Sequence, residues 1–359
     1  MKNWKGALAL ALILCLLVAC SPKQAENTPA PTPTPEATAT PEATPESTAE
    51  LSRTPELEGG EVRVSMLKGP TGLGAAKLMA DAQAEKTVNQ YEFNVFAEAT
   101  EAVAALSKGE VDIAAVPTNL AATLYHKLDG GVQLLCLNTG GVLYILENGD
   151  TVHSMKDLKG KTIHAFGQGA NPEFILNYLL ELNGLKAGED VAVQWYAAAD
   201  EVTTAMASGQ INLCMLPVPA ATAVQIQNPD VRSAVSLNDA WTESEGEGAM
   251  VMGCLVVRSA FAQEHPEFVN TFLEEYAQSV KFMTDPANAD QAAALAEGAG
   301  IVPKAAIAKR AIPDASLCCV TGDDMMDWVQ GFYEVLFRAD PKSIGGSIPD
   351  GAFYFQSNP

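Results

Sequence analysis

The sequence is poor in the residues that carry bond chemistry. Its four histidines, His126, His153, His164 and His265, are scattered, and no two stand at metal-ligand spacing. There is no Cys-x-x-Cys pair and no Gly-x-Ser-x-Gly elbow. Metal, thiol-redox and serine-hydrolase sites therefore lack support, and neither a metal nor another cofactor is expected. The run Gly69-x-x-Gly72-x-Gly74 has the wrong spacing for a dinucleotide fingerprint. Basic residues are also scarce: 22 Lys and Arg stand against 44 Asp and Glu. A chain this acidic is a poor partner for nucleic acid or anionic headgroups.

What is present begins at the front. Lys2 and Lys5 precede an apolar run from Ala7 to Ala19. That run is too short for a stable membrane span and reads as a secretion signal. It ends in Leu17-Val18-Ala19-Cys20, followed by Ser21, which resembles the lipobox of bacterial lipoproteins. The resemblance implies cleavage before Cys20 and a diacylglycerol on its sulfur. Two acyl chains would hold the protein on the outer face of the cell membrane. Cleavage removes Lys2 and Lys5 and no acid, taking the net charge from −22 to −24.

Residues 21–58 are Pro, Thr, Ala, Glu and Ser with almost no large apolar side chains. The run Thr28-Pro29-Ala30-Pro31-Thr32-Pro33-Thr34-Pro35 cannot form a helix or a sheet ladder. An extended tether is expected here. At about 3.1 Å per residue it would reach roughly 115 Å.

The remainder repeats itself at an offset of 100 residues. Phe96-Ala97-Glu98-Ala99-Thr100-Glu101, Gly109-Glu110-Val111-Asp112-Ile113 and Pro117 return as Tyr196-Ala197-Ala198-Ala199-Asp200-Glu201, Gly209-Gln210-Ile211-Asn212-Leu213 and Pro217. Residues 96–122 set against 196–222 hold seven identities without a gap, at turns as well as on helix faces. Two similar α/β lobes imply a cleft between them, and clefts bind ligands. Hydrophobic periodicity predicts strands near 61–67, 91–97, 111–116 and 132–137, with helices near 99–108 and 118–127. The second half predicts strands near 161–166, 190–196, 211–216 and 231–236, with helices near 171–184, 199–208 and 218–227. The alternation predicts parallel sheets. Crossings between lobes are expected near Asn138–Glu147 and Ala249–Val257, with Asn238–Gly248 as a loop. Helices follow near 265–283, 286–298, 303–312 and 323–338. Cys136, Cys214 and Cys254 sit in apolar runs as core thiols, while Cys318-Cys319 leaves disulfide pairing open.

In open α/β sheets a ligand lies beyond the carboxyl ends of the strands. That rule selects Lys68–Gly72, Pro117–Asn119, Gln168–Asn171 and Pro217–Pro219. Each begins a helix, where backbone N–H groups favour electron-rich ligand atoms. Lys68, Gly69, Thr71, Gly72, Thr118, Asn119, Gln168, Gly169, Asn171 and Pro217 are the candidates. Thr71, Thr118 and Asn171 fit a helix-capping role equally well. Thr139 and Gly140 join the set at the first crossing, and Trp241 as a wall or rim residue. Tyr196, the partner of Phe96 in the repeat, is placed near the cleft.

Four phrases then carry a family likeness. They are Leu67-Lys68-Gly69-Pro70-Thr71-Gly72-Leu73-Gly74, Leu106-Ser107-Lys108-Gly109-Glu110-Val111-Asp112-Ile113-Ala114, Leu158-Lys159-Gly160-Lys161-Thr162-Ile163 and Cys254-Leu255-Val256-Val257-Arg258. With the lipobox and tether, the chain resembles substrate-binding lipoproteins of ABC importers, in the NMT1/THI5-like and sulfonate–nitrate–taurine-binding group. The resemblance implies an α/β fold of two Rossmann-like lobes joined by a double-crossover hinge, as in type 2 periplasmic binding proteins, with a helical C-terminal segment. It implies a signal peptide over 1–19 and a lipidated tether over 20–60. Residues 61–141 with 258–359 would form the first lobe, and 142–257 the second. A monomer that captures a small polar or anionic organic solute and delivers it to a permease is the implied function. The superfamily also includes a thiamine-pyrimidine synthase, but the cysteine-rich run of that enzyme type has no counterpart here. A lipid-anchored sensor or adhesin reusing the two lobes is the remaining alternative.

Overall fold

The computed structural model describes residues 59–244, 246 and 248–356. The signal segment, Cys20 and the Pro/Thr tether lie outside the described residues.

The chain opens with β1 (Glu61–Leu67), α1 (Pro70–Leu73), α2 (Ala76–Gln83), β2 (Gln90–Phe96), α3 (Ala99–Lys108), β3 (Ile113–Pro117), α4 (Thr118–Lys127) and β4 (Val132–Thr139). It then forms β5 (Leu143–Asn148), β6 (Thr162–Phe166), α5 (Asn171–Leu182), β7 (Ala192–Tyr196), α6 (Ala199–Ala207), β8 (Leu213–Pro217), α7 (Ala220–Gln227), β9 (Val231–Ser236) and α8 (Leu237–Glu243). The last part is β10 (Gly253–Arg258), α9 (Ser259–Glu264), α10 (Pro266–Thr284), α11 (Ala289–Gly298), α12 (Ala305–Ala311), β11 (Leu317–Val320) and α13 (Gly322–Ala339).

The strands make two sheets, in the orders β2-β1-β3-β10-β4-β11 and β7-β6-β8-β5-β9. Without β11 the two orders have the same form. Each has three parallel strands, then one strand contributed across the lobe boundary, then a fifth. The expected all-parallel sheets are therefore corrected to mixed ones. β10 runs antiparallel to β3 and β4, and β5 runs antiparallel to β8 and β9. A chain that crosses between lobes enters each sheet from the opposite end, which reverses its direction there.

The repeat has a physical cause in how its helices stop. Gly109 and Gly209 both take left-handed φ, +73° and +74°. The N–H of the following residue, Glu110 or Gln210, donates to Ala105 O or Ala205 O at 2.9 Å in both halves. Only glycine adopts that conformation without a Cβ penalty. The buried faces also correspond: Ala102, Ala105 and Leu106 on α3 match Val202, Ala205 and Met206 on α6.

Two further expectations change. The stretch Asn238–Gly248 is not a loop throughout, because α8 occupies its first half. Ser236 caps α8 by accepting the Asp239 N–H at 3.2 Å, and Leu237, Ala240 and Trp241 form its buried face. Leu317–Val320 adds a strand at the edge of the first sheet, beside β4. The later helices pack chiefly on the first lobe, α10 and α11 lying against α2. They also reach across, α12 against α7 and α13 against α5.

Candidate functional site

The sequence-selected loops do begin helices, but their polar groups have partners other than those expected. α4 starts directly after β3, so Thr118 sits where the first sheet ends. Its N–H donates to Met252 O at 3.2 Å and its hydroxyl donates to Val251 O at 2.8 Å. Its carbonyl accepts from the Tyr333 hydroxyl at 2.8 Å. Thr118 is fully buried. Thr118 therefore ties α4 to the second interlobe crossing, and neither its N–H nor its hydroxyl proton is free.

Asn171 comes to the same point from the second lobe. It is the first residue of α5, and its Nδ2 lies 3.5 Å from Thr118 Oγ1. Asn171 is 3% exposed, and its Oδ1 has no hydrogen-bond partner. The lobes thus meet through two neutral polar side chains. The capping role is overturned for the three candidates: the caps are Gly69 for α1, Pro117 for α4 and Ala170 for α5, without a side-chain cap bond.

Beside this pair, the second crossing passes against the first. The Cβ that Gly253 lacks would stand 2.2 Å from Thr71 Cγ2 and 2.8 Å from Asn138 Oδ1. Asn138 Nδ2 donates to Thr71 O at 3.0 Å, and Thr139 Oγ1 donates to Asn138 Oδ1 at 3.0 Å. Gly140 N–H donates to Ser316 O at 2.9 Å, and Ser316 Oγ donates to Gly141 O at 2.6 Å. Thr71, Thr118, Thr139 and Asn171 are thereby gathered around Val251–Gly253, with Gly140 at its edge.

The remaining candidates lie elsewhere or are used differently. Lys68, Gln168 and Gly169 are exposed. The Gly69 N–H donates to Ile301 O at 3.1 Å, and Gly169 N–H to Glu173 Oε2 at 2.6 Å. Gly72 makes its close approach to Leu67, whose carbonyl oxygen would stand 2.0 Å from an added Cβ. Asn119 Nδ2 faces Ser343 O at 3.5 Å. Pro217 ends β8 in register with Leu143. Trp241 is on α8, 1% exposed, with its ring 4.7 Å from Tyr178 and 5.8 Å from Phe332. Its Nε1 donates to Gly248 O at 3.2 Å. Trp241 is core packing between α5 and α13. Tyr196 bonds His164 Nδ1 at 3.0 Å and lines a groove with Asp200, Glu201 and Thr204, which none of the gathered residues lines. Burial lowers the pKa of His164.

Sequence reasoning placed Asn138 in the first crossing beside Thr139 and Gly140, but did not select Val251, Met252 or Ser316. Val251 and Met252 act through main-chain carbonyls, which no side-chain pattern reveals. Ser316 takes a left-handed φ of +45°, which nothing in the sequence signals. The cysteines Cys136, Cys214, Cys254, Cys318 and Cys319 are free thiols. Burial pushes the Cys214 and Cys318 thiols up to about 12, so neither is an activated nucleophile. Asn171 Oδ1 is left without a hydrogen-bond partner, and the gathered side chains contain no nucleophile paired with a base.

Two similar sheets, each completed by a strand that crosses between lobes, define the two-lobe α/β fold of type 2 periplasmic binding proteins. Residues 97–289 match the family model described as NMT1/THI5 like, and the chain belongs to that family. An ABC transporter protein from Parabacteroides distasonis superposes with a TM-score of 0.69 at 22% identity, covering 83% of this chain and 99% of that one. The periplasmic aliphatic sulphonate-binding protein SsuA of Escherichia coli gives 0.63 at 16%, covering 83% and 92%. The ligand-binding component of an ABC-type import system from Staphylococcus aureus, with zinc bound, gives 0.61 at 14%, covering 83% and 97%. No curated protein matches the chain.

Proposed function

We propose that the chain is the solute-binding component of an ABC importer, held on the outer face of the membrane by a lipid on Cys20. The observation that carries this reading is the meeting of Thr118 and Asn171 across the lobes, beside the two crossing segments. Neutral hydrogen-bonding groups at an interlobe contact suit reversible capture of a small polar organic solute. The solute enters the open cleft, the lobes rotate about Gly140–Val142 and Ala249–Met252, and the closed form presents itself to a permease. No bond of the solute is made or broken. Thr71, Thr118, Thr139, Gly140 and Asn171 are the proposed contacts. The similarity to solute-binding proteins of ABC importers supports this reading, as do the lipobox and the tether.

The test is mass spectrometry of solute carried through purification, followed by isothermal titration with the compound found. A micromolar Kd, about −8 kcal/mol, is expected, with the compound recovered unchanged. Chemical conversion of the compound on incubation would overturn the non-enzymatic reading. Anchoring is tested separately by labelling with radioactive palmitate. The wild type should take up label and Cys20→Ala should not; equal labelling would remove the lipoprotein assignment.

A further inference from the structure

The unpaired oxygen of Asn171 limits what the cleft accepts. Thr118 spends its hydroxyl proton on Val251 O at 2.8 Å, so its Oγ1 has only lone pairs to offer Asn171. That fixes the amide: Nδ2 faces Thr118 at 3.5 Å, and Oδ1 points away without a partner. The flipped amide would set two acceptors against each other. The orphaned oxygen belongs to a side chain that is 3% exposed, at the start of a 12-residue helix. A buried acceptor without a donor is costly, and the long contact to Thr118 compensates little.

Building on the solute-binding reading above, we propose that Asn171 determines solute specificity by accepting a hydrogen bond from an uncharged N–H or O–H donor on the solute. A bare oxyanion offers only acceptors and would face Oδ1 lone pair to lone pair. An ammonium would be buried against Thr118 and main-chain carbonyls with no carboxylate among those contacts. An amide, a ring amino group or a hydroxyl satisfies the oxygen without burying charge. The same oxygen acts on the empty protein. Closing the lobes without solute buries Oδ1 unpaired, so the empty closed form is disfavoured, and a donor-bearing solute removes that penalty.

Two measurements test this. Small-angle X-ray scattering of the ligand-free protein reads closure directly. Asn171→Leu removes the orphaned oxygen and should give a smaller radius of gyration than the wild type; an unchanged radius overturns the proposal. Titration calorimetry then compares matched probes, 4-aminopyrimidine against 4-methoxypyrimidine and N-acetyltaurine against N-acetyl-N-methyltaurine, with nitrate and ethanesulfonate alongside. For whichever pair binds, the wild type should favour the donor-bearing member by about 5- to 150-fold. Thr118→Val removes the hydroxyl that orients the amide and should erase that preference while the protein stays folded, which a merely structural role would not do. Equal binding within a pair, or binding of nitrate or ethanesulfonate alone, overturns the proposal. If no probe binds, the scattering result alone decides. Absence of co-purified solute together with absence of any titration signal counts against the solute-binding reading, whereas compaction by Asn171→Leu is read on the ligand-free protein and does not depend on that reading.

Discussion

Asp112 joins three strands of the first lobe, and its replacement by Ala should be among the costliest single changes there. It lies just before β3. Its carboxylate accepts from Arg63 on β1 through the backbone N–H at 3.1 Å, Nε at 2.9 Å and Nη2 at 2.7 Å. It also accepts from Arg258 Nη2, at the end of β10, at 2.6 Å. Asp112 is 2% exposed, whereas the Arg63 and Arg258 side chains are 37% and 28% exposed. Removing one partner of a buried pair costs about 3–5 kcal/mol, and guanidinium groups that reach water place this case near the lower end, about 3 kcal/mol. For a lobe of this size that is roughly 6–12 °C in Tm. Burial works to raise the Asp112 pKa, but hydrogen bonds from Arg63 and Arg258 outweigh it, and the net shift is downward. A depressed folded pKa means the unfolded chain binds more protons in the window between the two values. The stabilisation is therefore complete above the unfolded value of about 3.9 and fades as pH falls through the folded one. Thermal melts of wild type and Asp112→Ala at pH 7 and in steps into the acid range are the assay. The gap should be wide at pH 7 and narrow only below about pH 3.9. A Tm loss under about 2 °C, or a gap that does not change with pH, would refute the reasoning.

Two other outcomes are expected. Gly72→Ala would press its Cβ to 2.0 Å from the Leu67 carbonyl oxygen, so it should destabilise the protein by about 1–3 kcal/mol in denaturant titration even without solute. Trp241→Ala should cost about 3–5 kcal/mol in the same assay, because it empties a fully buried site against Tyr178 and Phe332. Its effect on solute affinity at temperatures where it remains folded should be small, since Trp241 is packing.

Local rules made the lobes legible. The helix stops at Gly109 and Gly209, the alternation of β1 and β6, and the long amphipathic α10 each depend on residues close in sequence. The mixed character of the sheets did not follow from such rules, because β5 and β10 look like any apolar strand until the lobe that receives them is known. α8 hid behind Asn238, Asp239 and Thr242, whose polarity suggests a loop, although Ser236 and Asp239 carry its cap. At the site, the strand-end rule found Thr118 and Asn171 because it follows from sheet topology. It also selected Lys68, Gln168 and Gly169, which the structure leaves exposed, because the rule says where loops lie and not which of them face another lobe. Val251 and Met252 contribute carbonyl oxygens, which every residue has.

The exchange of strands between lobes sets an order of events during synthesis. β10 lies in the middle of its sheet, between β3 and β4, yet it leaves the ribosome only after the entire second lobe. Until then β3 and β4 have an empty lane between them, and the N-terminal half cannot settle into its final form. The second lobe has no such wait, since β5 precedes every strand it joins. The half made second thus has its sheet complete first, and an arrest of translation before Gly253 would leave a complete second sheet, still without the cover of α12 and α13, beside an incomplete first one.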